Sequence, residues 1–315
     1  MARVSVIVAA HEAAQTLPAA LASIAAQTFS DWEVVVCDDG SSDGTGEVAR
    51  AALGDRLTVV RHEAPAGPGG ARNAAAAAAS GELLATLDAD DRWLEDFLEV
   101  QVGAYDRVLA AGRRPGLVAC DARLETPAGE TLGTWFGTVG RDDPVTLSSL
   151  LRTNTIFTSV VCPADVFRAA GGYEPSLWIA QDYDLWVRIV ESGWEAIVTD
   201  RVLAAYRVAE SGISADTARL ASDTRRVLER ALERGNLTTA QRRLARRQIR
   251  LQRLLEERAE LAVLTGGGRR RIARRARMLP RLARVSAEHP ERWVHWLRRG
   301  AREAGPDRHS AGGAR

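Results

Sequence analysis

The sequence has no lysine, and all 42 of its basic residues are arginine. A P-loop requires Gly-Lys followed by Ser or Thr, so this class of phosphate-binding site is excluded. The high alanine content beside the arginines indicates a coding bias rather than a functional signal.

Cysteine is scarce as well, with only Cys37, Cys120 and Cys162. The number is odd, the spacings are wide and no Cys-X-X-Cys pair is present. A disulfide framework and a zinc site are therefore not indicated. We expect three buried, reduced thiols in a cytosolic protein.

Long hydrophobic runs are also missing. The N-terminal run from Val4 to Ala10 has seven residues and ends at His11 and Glu12, which is too short for a signal peptide or a membrane span. No other stretch reaches the length of about 18 apolar residues that a spanning helix needs. We therefore expect a cytoplasmic protein, either free or peripheral at the inner membrane face.

The formal net charge is only +1, without the basic excess of a nucleic-acid-binding protein, so no nucleic-acid partner is expected. The total conceals a segregation of charge along the chain. Residues 1–209 contain 16 Arg and 29 acidic residues, a net of −13, whereas residues 210–315 contain 26 Arg and 12 acidic residues, a net of +14. An anionic membrane surface, or the chain's own acidic half, is thus a candidate partner for the basic half.

Short apolar runs alternate with helical patterns in the first half of the chain. This alternation predicts an α/β fold with a mixed, mostly parallel central sheet flanked by helices. Strands are expected at 4–10, 32–40, 57–62 and 83–91, and helices near 17–24, at 43–53, from about 71 and near 93.

The middle of the chain reads as further strands and one amphipathic helix at 181–192, closing with two short strands within 196–208. From about residue 210 the sequence is Arg-rich and helical, with breaks at 235–236, 266–268 and 280. We expect a catalytic domain at 1–209, a helical extension at 210–305 and a disordered tail at 306–315.

Carboxylates follow two of the predicted strands, where an open parallel sheet binds its ligands. Asp38 and Asp39 follow the second strand, and they either form a turn that caps the next helix or accept hydrogen bonds from a base or ribose. Asp88, Asp90 and Asp91 follow the fourth. Their mutual repulsion is offset if a cation shares the site, although a solvated acidic loop has the same pattern.

Two further segments carry candidate ligands. The loop 67–73 leads into a helix carrying Arg72, which suits phosphate. In the segment 171–193, Asp182 and Asp184 lie near a helix start, and residues two apart on a helix point away from each other, so only one faces a given cleft. Trp178, just before this helix, is placed either to stack on a sugar ring or inside the core.

The ordered set VSVIVAA, DDGSSDGT, GGARN, LDADD and QDYDLWVR resembles glycosyltransferase family 2 over residues 3–207. The resemblance implies the GT-A fold and transfer of a sugar from a nucleoside-diphosphate donor, linked to UDP, GDP or dTDP. Glycan, lipid-linked or small-molecule acceptors are all compatible with it. Two departures are Gln181, where many members have Glu, and the sequence AAHE after the first strand.

The same resemblance assigns roles to residues. Asp182 would be the catalytic base. Asp38, Asp39, Arg72 and Asp88 would bind the nucleotide sugar. Asp90 and Asp88 would hold Mn²⁺ or Mg²⁺. Apart from the resemblance, Trp178 and Asp91 are candidates for the acceptor side.

Two other functions remain open from the sequence. A non-catalytic nucleotide-sugar- or carbohydrate-binding protein would share the fold, but it has no need to retain the same carboxylates. A sugar-phosphate nucleotidyltransferase would carry a glycine-rich loop with a basic residue after the first strand, where this chain has AAHEAA. For the basic helical segments, packing on the catalytic domain, a homodimer contact and a lipid surface are the alternatives.

Overall fold

The computed structural model describes residues 2–141, 143–208 and 216–263. Its first half is a parallel sheet. β1 (Val4–Ala10) lies between β2 (Trp32–Asp38) and β4 (Leu83–Asp88), and β3 (Leu57–Arg61) lies outside β2. The expected α/β class is confirmed.

The second half extends this sheet with mixed pairing. β8 (Val160–Pro163) runs antiparallel to β4, β6 (Pro115–Glu125) joins β8, and β9 (Glu195–Arg207) runs parallel to β6. β7 (Thr131–Thr134) pairs with β6, and the two-residue β5 (Arg92–Trp93) pairs with β9. Beyond β4, therefore, both antiparallel and parallel pairs occur.

Helices cover both faces of the sheet. α1 (Leu17–Ala25) and α4 (Phe97–Ala110) pack their apolar residues on one face, together with β1 and β2 side chains. On the other face, α3 (Gly67–Ala78), α6 (Leu147–Arg152), α7 (Ala164–Ala169) and α8 (Gln181–Glu191) contribute to a second buried cluster. The short helices α2 (Thr45–Arg50) and α5 (Trp135–Val139), with a 3-10 turn at Gly54–Arg56, complete the connections.

Three local predictions were wrong. α3 begins at Gly67 rather than near 71, because Gly67 adopts a left-handed φ of +82° and Pro68 occupies the first helical turn, where its missing N–H costs nothing. Residues 195–207 form one strand with register shifts rather than two strands. Arg92 and Trp93 pair with β9, so the next helix starts only at Phe97.

All three cysteines are buried and free, as expected. Burial raises the pKa of the Cys37 thiol to about 12 and raises the pKa values of the Cys120 and Cys162 thiols further. The described helices include none that is long and apolar enough to cross a bilayer.

The C-terminal helices are α9 (Thr217–Arg234) and α10 (Thr239–Val263). Gly235, with a φ of +80°, ends α9 at the break that the sequence predicts. Residues 1–256 form one compact unit, and of the second unit, 257–315, only the last turns of α10 are described. The predicted breaks at 266–268 and 280, and the predicted tail at 306–315, lie outside the described residues.

Candidate active site

The carboxyl ends of β1, β2 and β4 bring the first two acidic motifs to one edge of the sheet. The register pairs Ala10 with Asp38 on one side of β1 and Ala9 with Asp88 on the other. The parallel strands therefore place both motifs next to each other, as the sequence predicts.

Asp39 organises the loop that leads into α3. Its carboxylate accepts hydrogen bonds from the backbone N–H groups of Ala66 (2.8 Å) and Gly67 (2.9 Å), and it contacts Nδ1 of His62 at 2.7 Å. The two carboxylate oxygens of Asp39, which follows β2, thus hold a loop that lies more than twenty residues further along the chain. His62 was not among the predicted site residues.

Asp38 is fully buried and lies beneath this loop. One of its oxygens accepts from the Ser41 N–H at 3.0 Å and the other is paired with the Arg61 guanidinium. Arg61 also donates to the Ser41 carbonyl at 2.9 Å. Asp38 therefore fixes the turn 38–41.

The segment after β1, where the sequence departs from the family pattern, lies against the same turn. Nδ1 of His11 is 2.8 Å from the backbone oxygen of Asp39. Glu12 has a left-handed φ of 49°, and its carboxylate accepts from both the N–H and the hydroxyl of Ser42, at 2.7 and 3.0 Å. A non-glycine residue in this conformation is uncommon, and the two bonds hold it there.

Arg72 lies at the centre of the site. The side chain is 5 % exposed, pairs with Asp88 and approaches the Tyr173 ring at 5.4 Å. The Gln181 amide oxygen accepts from Arg72, while its nitrogen donates to the carbonyls of Trp178 (2.9 Å) and Ile179 (3.2 Å). The buried Nε of Arg72 has no hydrogen-bond partner. A buried guanidinium with an unused donor is suited to an anionic ligand.

The three carboxylates after β4 differ in environment. Asp90 is reached by solvent although protein surrounds most of it, and desolvation and the nearby Asp88 charge raise its pKa to about 6. Asp91 is buried, accepts from the Arg207 N–H at 2.9 Å and has one oxygen without a partner. Burial and the charges of Asp88 and Asp90 raise the pKa of Asp91 well above its usual range.

Asp182 faces this cluster from the first turn of α8. Desolvation raises its pKa to about 6, and the Arg72 charge opposes that rise. Asp184 points the other way, is fully buried and pairs with Arg188 at 2.7 Å and with Arg230 of α9 at 3.3 Å. Asp182 and Asp184 therefore point in different directions, as their spacing of two residues on the helix predicts.

Trp178 lies between α3 and α9. Its ring packs on Gly67, where an added Cβ would be 2.7 Å from the ring, and the Arg219 guanidinium lies 4.9 Å from the ring centroid on α9. The N–H groups of Trp178 and Ile179 both donate to the Asp223 carboxylate at 2.8 Å. Trp178 is therefore half-buried near the loop that Asp39 holds.

Asn73 explains why Gly172, the second of the two glycines that precede Tyr173, is a glycine. The Asn73 amide donates to the Tyr173 carbonyl and accepts from the Tyr173 N–H, both at 2.8 Å. Gly172 has a φ of +68°, and a Cβ there would lie 2.6 Å from the Asn73 oxygen. The GGARN and GGYEP segments are thus packed together as one support for Arg72.

The carboxylates after β4 suit a divalent metal only if oxygen atoms of a bound substrate complete its coordination. No group of three His, Cys, Asp or Glu side chains converges on one point in the described part of the chain. Asp90, however, forms no ion pair with any described residue, and Asp88 is close enough to raise its pKa. Two carboxylates together with substrate phosphate oxygens are a usual Mg²⁺ environment, so the residues fit such a site.

The structure brings most of the predicted site residues together. Arg72, Asp88, Asp90 and Asp182 influence one another electrostatically. The sequence interpretation missed His62, Arg61, Tyr173, Arg207 and Asp223. A polar residue ending β3 was the available signal for Arg61 and His62, whereas no local pattern marks Asp223.

The first part of the chain matches a known protein family. Residues 5–119 match the family described as Glycosyl transferase family 2. This range contains Asp38, Asp39, Arg72, Asp88 and Asp90 and ends before Asp182.

Three curated relatives have biosynthetic names. The *Escherichia coli* protein WfgD, named a UDP-Glc:alpha-D-GlcNAc-diphosphoundecaprenol beta-1,3-glucosyltransferase, is 39% identical over 31% of this chain and 39% of its own length. WfaP, which has the same description, is 25% identical over 69% of this chain and 81% of its own. The *Rhizobium meliloti* succinoglycan biosynthesis protein ExoO is 29% identical over 67% of this chain and 62% of its own.

Two solved structures share the fold. *S. aureus* TarS 1-349 in complex with UDP-GlcNAc has a TM-score of 0.62 and 19% identity, covering 80% of this chain and 72% of that one. The *Pyrobaculum calidifontis* mannosyltransferase PcManGT in complex with GDP-Man and Mn²⁺ has a TM-score of 0.61 and 21% identity, covering 94% and 84%. Residues 5–119 therefore match glycosyltransferase family 2, and the chain shares the GT-A fold with these two structures.

Proposed function

We propose that this protein transfers a sugar from a nucleoside-diphosphate donor to an acceptor hydroxyl, with inversion at the anomeric carbon, in polysaccharide or glycoconjugate biosynthesis. One observation carries the proposal: the buried Arg72 is paired with Asp88 and interacts with the charge of Asp182. This arrangement provides a cationic group for a diphosphate and a carboxylate for an acceptor proton in one site.

The donor half of the site is assigned to the strand ends. Asp39 contacts the nucleoside and Asp38 supports it through the turn 38–41. Arg72 and Asp88 lie at the diphosphate and ribose side. The donor is linked to UDP, GDP or dTDP, and the UDP-GlcNAc and GDP-Man in the structural relatives support the first two.

Asp90 and Asp88 would hold the divalent metal, Mn²⁺ or Mg²⁺. When bound, the metal supplies positive charge opposite the diphosphate. The unused Nε of Arg72 provides a hydrogen bond for the same charge as it develops on the leaving group.

Asp182 acts as the general base. The acceptor hydroxyl attacks the anomeric carbon as Asp182 takes its proton, and the bond to the diphosphate oxygen breaks on the opposite face. A carboxylate with a pKa of about 6 is a better base than an ordinary Asp while still being ionised at neutral pH. Because attack and departure occur on opposite faces, the configuration inverts.

The acceptor side is assigned to Trp178 and Asp91. We favour a lipid-linked acceptor, because WfgD and WfaP are named for a diphosphoundecaprenol acceptor. Residues 1–209 would carry the chemistry and the extension from 210 would support it. Such an enzyme would work at the cytoplasmic face of the membrane.

Asp182→Asn tests the base assignment. We expect a loss of transfer of about a thousandfold or more, because general base catalysis alone contributes about 10²–10⁴. Donor binding, measured by the thermal shift with UDP, GDP and dTDP in the presence of Mn²⁺, should be unchanged. Asp184→Asn is a poor control because that carboxylate is buried in an ion-pair network, so the exposed Asp200→Asn serves instead.

Two results would contradict this function. Substantial residual transfer by the Asp182→Asn variant would remove Asp182 as the base. Donor binding by the unaltered protein without transfer or slow hydrolysis of any donor would favour a non-catalytic nucleotide-sugar-binding protein.

A further inference from the structure

The exposed face of α10 has a single chemical character. Between residues 242 and 253, every side chain classed as exposed is an arginine, and the set comprises Arg242, Arg243, Arg246, Arg250 and Arg253. The opposite face is buried and contains Ala245, Ile249 and Leu251. We call the five arginines the α10 arginine row; at 1.5 Å per residue it is about 16 Å long.

Most of this row has no counter-charge. Arg253 pairs with Glu229 at 3.1 Å. Within the described ranges, the other four arginines have no ion pair. Positive residues three and four apart on a helix repel one another, so the row weakens the isolated helix. Folding therefore does not account for it, whereas binding to an anionic surface does.

The α10 arginine row is attached, through α9, to the catalytic body, by which we mean residues 1–209. α10 contacts α9 through Arg225 and Glu256 at 3.2 Å and through the Arg253–Glu229 pair. Asp223 of α9 in turn holds the backbone of Trp178. A surface bound by the row would therefore be fixed relative to the loop that carries Trp178, the proposed acceptor-side residue.

We propose that the α10 arginine row is a docking surface for an anionic lipid bilayer, which it binds peripherally through headgroup phosphates. The proposal rests on the proposed function, because a lipid-linked acceptor places the reaction at a membrane. Arginine pairs with phosphate through two parallel hydrogen bonds, and a row without exposed apolar side chains binds without insertion. Such binding is electrostatic and weakens as salt rises.

The test is cosedimentation of the full chain with vesicles of phosphatidylcholine alone or with about one-third phosphatidylglycerol. One variant carries Arg242→Gln, Arg243→Gln, Arg246→Gln and Arg250→Gln. A matched control removes four exposed arginines of the catalytic body, Arg50, Arg56, Arg107 and Arg168, also to Gln. Both variants lose the same formal charge.

We expect the unaltered protein and the control to bind the anionic vesicles at low salt and not the neutral ones. The row variant should bind about a hundredfold or more weakly, since each arginine near an anionic surface contributes about fivefold. Equal loss in both variants, or undiminished binding by the row variant, would overturn the proposal. So would a dimer of the unaltered protein that the row variant converts to a monomer without any vesicle binding.

Transfer to a water-soluble acceptor analogue separates this proposal from the proposed function. The row variant should retain that activity while losing vesicle binding. If no donor and acceptor combination gives transfer, the proposed function fails, and the vesicle result still decides whether the row binds lipid.

Discussion

At the scale of single residues, Gln181 shows how a neutral side chain can tune a charged site. Its oxygen accepts from Arg72 and its nitrogen donates to two carbonyls of the loop that precedes α8. A glutamate at this position would keep the first interaction and lose the other two. It would also add a negative charge beside Asp182.

Gln181→Glu should move the acidic limb of the kcat profile to higher pH. The added charge disfavours the ionised form of Asp182 and raises its pKa further above about 6. The measurement is kcat from pH 5 to 8 at saturating donor and metal, a range chosen around the usual span of such shifts, about one unit. An acidic limb that stays in place or moves to lower pH would contradict this account of Gln181.

The unaltered protein should lose activity as the pH falls through about 6. As the proposed base, Asp182 must be ionised to take a proton. Burial raises its pKa to about 6, so the competent fraction is largest above that pH. Asp90 has a similar pKa, but metal and protons compete for its carboxylate. A limb that moves to lower pH with rising Mn²⁺ would therefore report Asp90, and one that does not move would report Asp182.

The opposed directions of Asp182 and Asp184 could be predicted, because the helical period alone separates residues two apart. The partners could not. Asp184 meets Arg230, and Asp39 meets His62, through contacts between elements whose arrangement no local pattern encodes. The same holds for the reason that Gly172 is a glycine, which depends on Asn73 a hundred residues earlier.

At the scale of elements, α9 supports the loop 174–179, which carries the proposed acceptor-side residue Trp178. Arg226 donates to the carbonyl and hydroxyl of Ser176 at 2.7 and 2.9 Å. Asp223 accepts from the N–H groups of Trp178 and Ile179, both at 2.8 Å. Arg230 pairs with Glu174 at 2.7 Å. The helix thus holds the loop 174–179, which ends next to Gln181.

Asp223→Ala should raise the acceptor KM more than it changes donor binding. Asp223 is a positioning residue, since its carboxylate holds the backbone of Trp178 and Ile179 without itself facing the carboxylates after β4. Two partly buried N–H groups lose a charged acceptor, and hydrogen bonds to charged groups each contribute about 1.5–3 kcal/mol. The measurements are the two KM values, kcat and the thermal shift with nucleotide.

Asp223→Glu provides the matching rescue. It keeps the carboxylate and should recover part of the acceptor affinity, which a purely structural loss would not explain. If Asp223→Ala instead lowered stability alone, with unchanged KM for both substrates, α9 would be a packing element only.

The limits of sequence prediction differ between elements. The strands β1 and β2 could be predicted because each is a continuous apolar run, and the helix α8 could be predicted because its apolar residues recur with the helical period. α3 started earlier than expected, since a glycine with positive φ and a proline can open a helix as well as form a loop. Strand β9 has a register shift at its polar interval 199–201 but remains one strand, because it pairs with β6 on both sides, Val198 with Ala119 and Val202 with Asp121.

At the scale of the whole molecule, the near-neutral charge arises from cancellation. Part of the positive charge of residues 210–315 is paired with acidic residues of 1–209. Arg230 and Arg234 of α9 contact Asp184, and Arg234 also pairs with Glu191. Among the described residues, the α10 arginine row has no ion pair with residues 1–209, and its Arg253 pairs with Glu229 of α9 instead. The arginines of α9 therefore stabilise the fold, whereas most arginines of the α10 arginine row have no ion pair with a described residue.

This division makes Asp184 a test of whether α9 and the sheet unfold together. Asp184 is fully buried and is the shared partner of Arg188, Arg230 and Arg234. Removing one member of a buried ion-pair network costs about 3–5 kcal/mol, because the remaining charges stay desolvated without compensation. Asp184→Asn should therefore lower the free energy of unfolding by about 3 kcal/mol, at the lower end because the arginines are partly exposed.

Urea unfolding followed by tryptophan fluorescence and by circular dichroism measures this change. Trp186 on α8 and Trp178 beside α9 are two of the eight tryptophans that contribute to the fluorescence, so this signal includes the interface, and the circular dichroism signal reports all helices. We expect both probes to shift together to a lower midpoint, whereas the exposed Asp200→Asn should change stability by less than about 0.5 kcal/mol. Separate transitions for the two probes, with the main one unmoved, would mean that α9 is an attached helix rather than part of the cooperative body that holds the active site.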